Sequence, residues 1–271
     1  MCSEFFGETV SPSPAYMHAS QSRSTDAGFT LIELLTVIAI IGILAAIIIP
    51  TVGKVRNTAQ RTVDANSLRE IAKAAMIYAT DNNDRLPDPN TTPAPRVTGG
   101  DKLYIWAGLL AKSGALSDPT FYFSKNDPKS DGNFPSSILD PADAAKNTLL
   151  ADFTAKTPSV ELVGGLKMSD PSTTPIAFTR GLKTDGTWDN NADGTGKSVY
   201  GDDGGYIVFL GGNVQFYKDL GGDDSTGKLT KTNGKPTNNI TETIPRGSTQ
   251  LIYGRDGNIG TPGGVAPTAA N

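Results

Sequence analysis

Residues 27–33 read Ala-Gly-Phe-Thr-Leu-Ile-Glu, and an apolar run continues from this stretch to Ile49. All 19 residues from Leu31 to Ile49 are apolar or small, except Glu33 and Thr36. A helix rises about 1.5 Å per residue, so this run spans roughly 29 Å, which is close to the hydrocarbon thickness of a bilayer. The run therefore predicts a transmembrane helix.

Glu33 stands out within this apolar run. A carboxylate at the centre of a membrane helix costs about 2.5–3.5 kcal/mol on insertion scales, so such a residue indicates a function. The alternative is that Glu33 lies near the helix end and reaches the headgroup layer.

The hexapeptide Gly28–Glu33 resembles the processing site of type IV pilins and of the pseudopilins of type II secretion. The resemblance covers roughly 55 residues, and it implies that a prepilin peptidase cleaves after Gly28 and methylates the new amino terminus at Phe29. It also places Gly42 and Pro50 where the first helix of many pilins loosens or bends.

An electrostatic role for Glu33 follows if subunits stack along a filament. The Glu33 carboxylate of one subunit would then neutralise the Phe29 amine of its neighbour. Either charge alone is costly in an apolar core, and a buried polar pair sets register more than it adds stability. Phe29 and Glu33 are therefore the predicted assembly residues.

Composition limits the chemistry available to the processed chain. The single Cys and the single His, Cys2 and His18, both precede Gly28. Cleavage would leave no thiol or imidazole for nucleophilic catalysis or zinc binding, and no disulfide, which favours a pseudopilin over the many type IV pilins that contain one. The net charge of −4 argues against a general nucleic-acid binder.

The resemblance and the composition together divide the chain into four segments. The leader is long for this class, and Met17 is an alternative start. The segments are a cleaved leader at 1–28, a transmembrane and filament-core helix at 29–50, an amphipathic continuation at 51–81, and a globular head with a flexible tail at 82–271.

Two arguments about membrane orientation conflict. Only Arg23 precedes the apolar run closely, whereas Lys54, Arg56, Arg61 and Arg69 follow it, so the positive-inside rule places the following side in the cytoplasm. The resemblance implies the reverse, and long domains translocate regardless of charge. We therefore expect a single-pass inner-membrane protein with a periplasmic or extracellular head.

Beyond the membrane run, the pattern stays helical up to the polar turn 81–84. Lys54, Arg61 and Arg69 fall on the other side of this helix, which predicts a solvated basic face. The alternative is a basic stripe that contacts anionic headgroups or acidic partners. The predicted apolar face contains residues spaced by three and four, namely Val52, Val55, Ala59, Val63, Leu68, Ile71, Ala72, Ala75 and Tyr78 or Ala79.

The rest of the chain predicts an α+β, pilin-like fold, in which the long helix packs on an antiparallel sheet. The strongest signal is a hairpin with strands 206–210 and 213–217 around a two-residue Gly-Gly turn. The other predicted elements are a helix at 102–112 closed by Gly114, one or two helical turns at 141–147, and strands at 120–124, 159–163, 175–179 and 251–253.

One loop in the head matches the start of a calcium-binding loop. Residues 189–194 (Asp-Asn-Asn-Ala-Asp-Gly) fit the D-x-[DN]-x-[DN]-G pattern, but the twelfth position is Tyr200 instead of Glu. Asp202 or Asp203 would supply the missing carboxylate. Major pseudopilins carry calcium in a loop of their sheet, so the resemblance implies a similar site here. The alternative is an ordinary turn. The candidate calcium ligands are Asp189, Asn191 and Asp193, and calcium is the one cofactor that the sequence indicates.

These observations predict a structural subunit of a type II secretion pseudopilus and not an enzyme. The alternatives are a type IV pilus subunit for adhesion, motility or DNA uptake, and a membrane-anchored binding or enzymatic domain that never polymerises. The expected partners are prepilin peptidase, identical and related subunits, the inner-membrane assembly platform and the lipid bilayer, with no nucleic acid.

Overall fold

A computed structural model describes residues 29–90, 97–222, 226–245 and 252–255. The chain divides into two compact units on either side of the Thr51–Val52 bond. The predicted leader at 1–28 lies outside the described residues, as does the tail beyond residue 255.

Helix α1 spans Leu31–Thr80, so the predicted long amino-terminal helix is confirmed. It ends at the predicted polar turn. There, Asn83 and Asp84 adopt left-handed backbone conformations with φ of 54° and 59°, and the Asp84 amide donates to the Ala79 carbonyl at 2.9 Å. Short polar side chains tolerate this conformation, which explains why the helix ends here.

The predicted α+β class is confirmed. The α-helices and strands after α1 are α2 Lys102–Ser113, α3 Ala151–Ala155, β1 Val160–Val163, β2 Pro175–Thr179, β3 Gly205–Phe209, β4 Val214–Tyr217, β5 Leu229–Thr230, β6 Pro236–Thr237 and β7 Ile252–Tyr253. Five of the strands form one antiparallel sheet in the order β4-β3-β2-β1-β7, and β5 and β6 form a separate pair.

The hairpin β3–β4 forms as predicted, but its turn does not. The Gly212 amide donates to the Phe209 carbonyl at 2.8 Å, and the Phe209 amide donates to the Asn213 carbonyl at 3.0 Å. The loop therefore contains three residues, Leu210 to Gly212, and Gly212 is left-handed with φ of 81°. This is the three-residue hairpin loop with a glycine at the left-handed position, so the predicted two-residue turn is wrong by one residue.

Two other predicted elements are wrong. Residues 120–124 form no strand, because Pro119 begins a 3-10 turn and the Asp118 carboxylate accepts a bond from the Thr120 amide at 2.9 Å. Residues 141–147 form consecutive turns instead of a helix. The Asp143 carboxylate accepts from the Asn147 amide at 2.8 Å and so competes with helical bonding.

The predicted apolar face of α1 is confirmed only in its second part. The head lies against the helix at Arg61, Asp64 and Leu68 and leaves the earlier apolar side chains uncovered. The buried residues, which share one core cluster with the sheet, are Leu68, Ile71, Ala72, Ala75 and Ala79. The exposed residues are Val52, Val55, Ala59 and Val63.

Candidate functional site

The amino-terminal motif forms a capping box at the start of α1. The Thr30 hydroxyl accepts from the Glu33 amide at 3.2 Å, and the Glu33 carboxylate accepts from the Thr30 amide at 2.9 Å and from the Thr30 hydroxyl at 2.7 Å. This reciprocal arrangement satisfies two amides that a helix start otherwise leaves unbonded.

The capping box was not predicted from the sequence, although the spacing Thr-x-x-Glu at residues 30–33 is its signature. It gives Glu33 a partner within its own chain. The adjacent Phe29 side chain is 77% exposed. Pairing of Glu33 with the Phe29 amine of another subunit stays a prediction, and Gly28 lies outside the described residues.

Apart from the half-buried Ala45, the apolar side chains of α1 between Leu31 and Ile49 are exposed, and the larger ones are between 45% and 77% accessible. Within the described part of the chain, α1 is the one helix long and apolar enough to cross a membrane. Helix α1 continues through Gly42 and Pro50. Loosening of the helix at these two residues stays a prediction.

Arg61 holds the hairpin β3–β4 and its preceding loop against α1. Its guanidinium bonds the Asp203 carboxylate at 2.5 Å and lies over two aromatic rings, 5.1 Å from the Tyr200 centroid and 5.5 Å from that of Phe216. The prediction that Arg61 belongs to a solvated basic face is therefore wrong. Arg69 bonds the Asn66 side chain on its own helix.

One turn further on, Asp64 brings its carboxylate into the head. The side chain is only 6% exposed and accepts hydrogen bonds from Ser124 Oγ at 2.7 Å, from Gln60 Nε2 at 3.2 Å and from Tyr200 Oη. Burial raises the pKa of Asp64, and the nearby Asp127 carboxylate adds to this effect, whereas the three donors oppose it.

Behind Asp64 lies a buried ion pair between Arg180 and Asp127, whose side chains are 0% and 1% exposed. The Arg180 guanidinium contacts Asp127 Oδ1 at 2.6 Å and donates to the carbonyls of Pro158, Gly196 and Lys197. The second Asp127 oxygen accepts from Ser159 Oγ at 2.6 Å. The pair thus joins the end of β2 to two loops and to the start of β1.

The predicted calcium loop forms a series of tight turns in the described structure. The Asp189 carboxylate accepts from the Asn191 amide, the Asp193 carboxylate accepts from Thr195, and the Asn191 side chain bonds the Ser198 backbone. Among the residues that the structure describes, no group of three or more Cys, His, Asp or Glu side chains is arranged to hold a metal. The calcium site stays a prediction.

A long amino-terminal helix with exposed apolar side chains and a capped Glu at its start, and an antiparallel sheet, are the features of a pilin-like α+β fold. A family model that matches the amino-terminal segment agrees with this fold. The prokaryotic N-terminal methylation motif matches residues 23–49.

Two relatives are similar over the same region. The chain is 52% identical over 56 residues to the type IV wide pilus major component PilA4 of Thermus thermophilus, covering 21% of this chain and 43% of that protein. It is 42% identical over 60 residues to the type II secretion system core protein G of Pseudomonas aeruginosa, covering 22% and 42%.

The resemblance to type IV pilins and pseudopilins is therefore confirmed, and it is carried by the amino-terminal segment. The matches span less than half the length of either relative. No solved structure matches the chain. The contacts of Arg61, Asp64 and Arg180 are thus known for this chain from its structure alone.

Proposed function

We propose that this protein is a structural subunit of a type II secretion pseudopilus. Prepilin peptidase would cleave the chain after Gly28 and methylate Phe29. The subunit would then leave the inner membrane through the assembly platform, as its apolar helix enters a bundle of identical and related helices. The methylation motif, together with the similarity to a type II secretion core protein, supports this proposal.

The observation that carries the proposal is the exposed apolar surface of α1. Such an extended run of uncovered apolar side chains needs lipid or other helices around it, because water is an unfavourable environment for it. A subunit that passes from a bilayer into a filament is surrounded first by lipid and then by other helices. Val52, Val55 and Val63 extend the uncovered surface beyond the apolar run.

Glu33 allows a test that separates charge pairing from helix capping. Glu33→Gln keeps the capping geometry, since Gln serves in a capping box as Glu does, but removes the charge. Glu33→Ala removes both. We expect both variants to fail to pellet as filaments, while the parent pellets. Normal assembly of the Gln variant would show that capping, and not a charge pair with Phe29, is what assembly needs.

Processing is tested by mass spectrometry of the amino terminus of protein taken from membranes. We expect a chain that begins with methylated Phe29. An intact leader on dispersed single molecules would favour the membrane-anchored domain that never polymerises, and it would refute assembly.

A type IV pilus subunit is the second candidate, because the 52% identity to a wide pilus component favours it. Deletion of the gene separates the two functions. A pseudopilin mutant loses secretion of proteins into the medium and keeps its surface pili, whereas a pilin mutant loses the pili and keeps secretion.

A further inference from the structure

Asp64 joins α1 to two separate parts of the head. Ser124 belongs to the loop after the 3-10 turn, and Tyr200 belongs to the loop before β3, yet both donate to the same Asp64 oxygen. Gln60 donates to the other oxygen from the preceding turn of α1. The carboxylate is thus the common acceptor at the point where the head contacts the helix.

The charges around Asp64 leave its carboxylate without a cationic partner. None of the ion pairs among the described residues includes Asp64. Arg61, its neighbour on the helix, is paired with Asp203, and Arg180 is paired with Asp127. Both nearby cations are therefore bonded to other acids.

The remaining titratable groups that face Asp64 are phenols. Burial raises the pKa of Tyr200, which donates to the carboxylate, and burial also raises the pKa of Tyr206. Both phenols therefore stay neutral over the range in which a carboxyl group titrates. Burial favours the protonated form of Asp64. Unlike Asp127 and Asp203, Asp64 has no ion pair that opposes this effect.

We propose that Asp64 is a proton-sensitive docking point, at which acidification tightens the hold of the head on α1. Neutralising the side chain removes the cost of burying a charge. The cluster can accept the proton, because the Ser124 hydroxyl can rotate to accept a bond and the Gln60 amide can turn over. The inference concerns the contact between head and helix and does not depend on the proposed function.

The sign follows from proton linkage. Burial raises the pKa of Asp64 in the docked state above its ordinary value, so the docked state binds the proton more tightly than the released state. The docked state therefore gains stability as the pH falls from neutral through the raised pKa. The gain is tenfold in the docking equilibrium for each unit by which the two pKa values differ.

The test is hydrogen exchange of the full chain in detergent micelles between pH 8 and pH 5, corrected for the intrinsic rate of exchange. We expect protection of residues 60–66 and 198–202 to rise as the pH falls. Asp64→Asn, a neutral side chain of the same shape, should show no such change and should match the acidic parent at every pH. Flat protection in the parent would overturn the proposal.

Asp219→Asn is the matched control, since it removes an exposed carboxylate of the head but leaves Asp64 and the pairs of Arg61 and Arg180 in place. It should keep the pH dependence. Tyr200→Phe removes a donor to the carboxylate, so its transition should move to higher pH. If Asp64→Asn does not fold, carbon NMR of the Asp64 carboxyl group in the parent decides. A midpoint at or below the ordinary value for Asp would refute the proposal.

Discussion

Removing Arg180 is the substitution that most directly tests the buried network of the head. Arg180→Met keeps much of the side-chain volume but leaves the Asp127 carboxylate, 1% exposed, without its cation. It also takes away the donors to three backbone carbonyls. Breaking a buried pair by removing one partner costs about 3–5 kcal/mol. Each kcal/mol lowers the melting temperature of a unit of this size by about 2–4 °C, so we expect a fall of about 6–20 °C.

The assay is thermal unfolding of the full chain in detergent, followed by circular dichroism. Adding Asp127→Leu to Arg180→Met should recover much of the loss, because the second change removes the unpaired charge. Lys156→Met is the control. It breaks the exposed pair with Asp131 and should leave the melting temperature unchanged within error. A melting temperature for Arg180→Met that equals that of the control would refute the reasoning.

Three further predictions concern single turns of the chain. Gly204→Ala should prevent stable folding, because φ is 121° and an added Cβ would lie 2.2 Å from the Tyr217 carbonyl oxygen. Gly212→Ala, with φ of 81° and open space around it, should cost only about 1–2 kcal/mol in denaturant unfolding. Thr30→Ala should speed hydrogen exchange in the first turn of α1, whereas Thr30→Ser should not, since Ser also caps a helix. Calcium should raise the melting temperature of the parent and leave that of an Asp189→Ala, Asp193→Ala double variant unchanged. Stabilisation of both would remove the predicted loop site.

Some features of the head follow from local sequence and some do not. Helix α2 ends as predicted, because Gly114 adopts a left-handed conformation with φ of 79° and its amide bonds the Ala111 carbonyl. Strand β2 has the predicted bounds. The prediction at 120–124 is wrong because aromatic residues favour strands, whereas the Asp118 cap and Pro119 favour a helical turn.

The contacts of the candidate functional site also divide into those between neighbours in the sequence and those between distant residues. Thr30 and Glu33 are three residues apart, so their capping box is a local pattern that the sequence contains. Arg61 and Asp203 are 142 positions apart, and Asp127 and Arg180 are 53 apart. Helical periodicity assigned Arg61 to the solvated side of α1. The spacing of residues along one helix carries no information about the acid and the two aromatic rings that the head places beside Arg61.

The sequence by itself determined the apolar helix, its processing motif and the positions of several strands, because these depend on composition and on spacings of a few residues. The tertiary structure alone decided which charges are buried and how they are paired. A carboxylate such as Asp64 acquires its environment from Ser124 and Tyr200, which chain folding brings to it from 60 and 136 positions away.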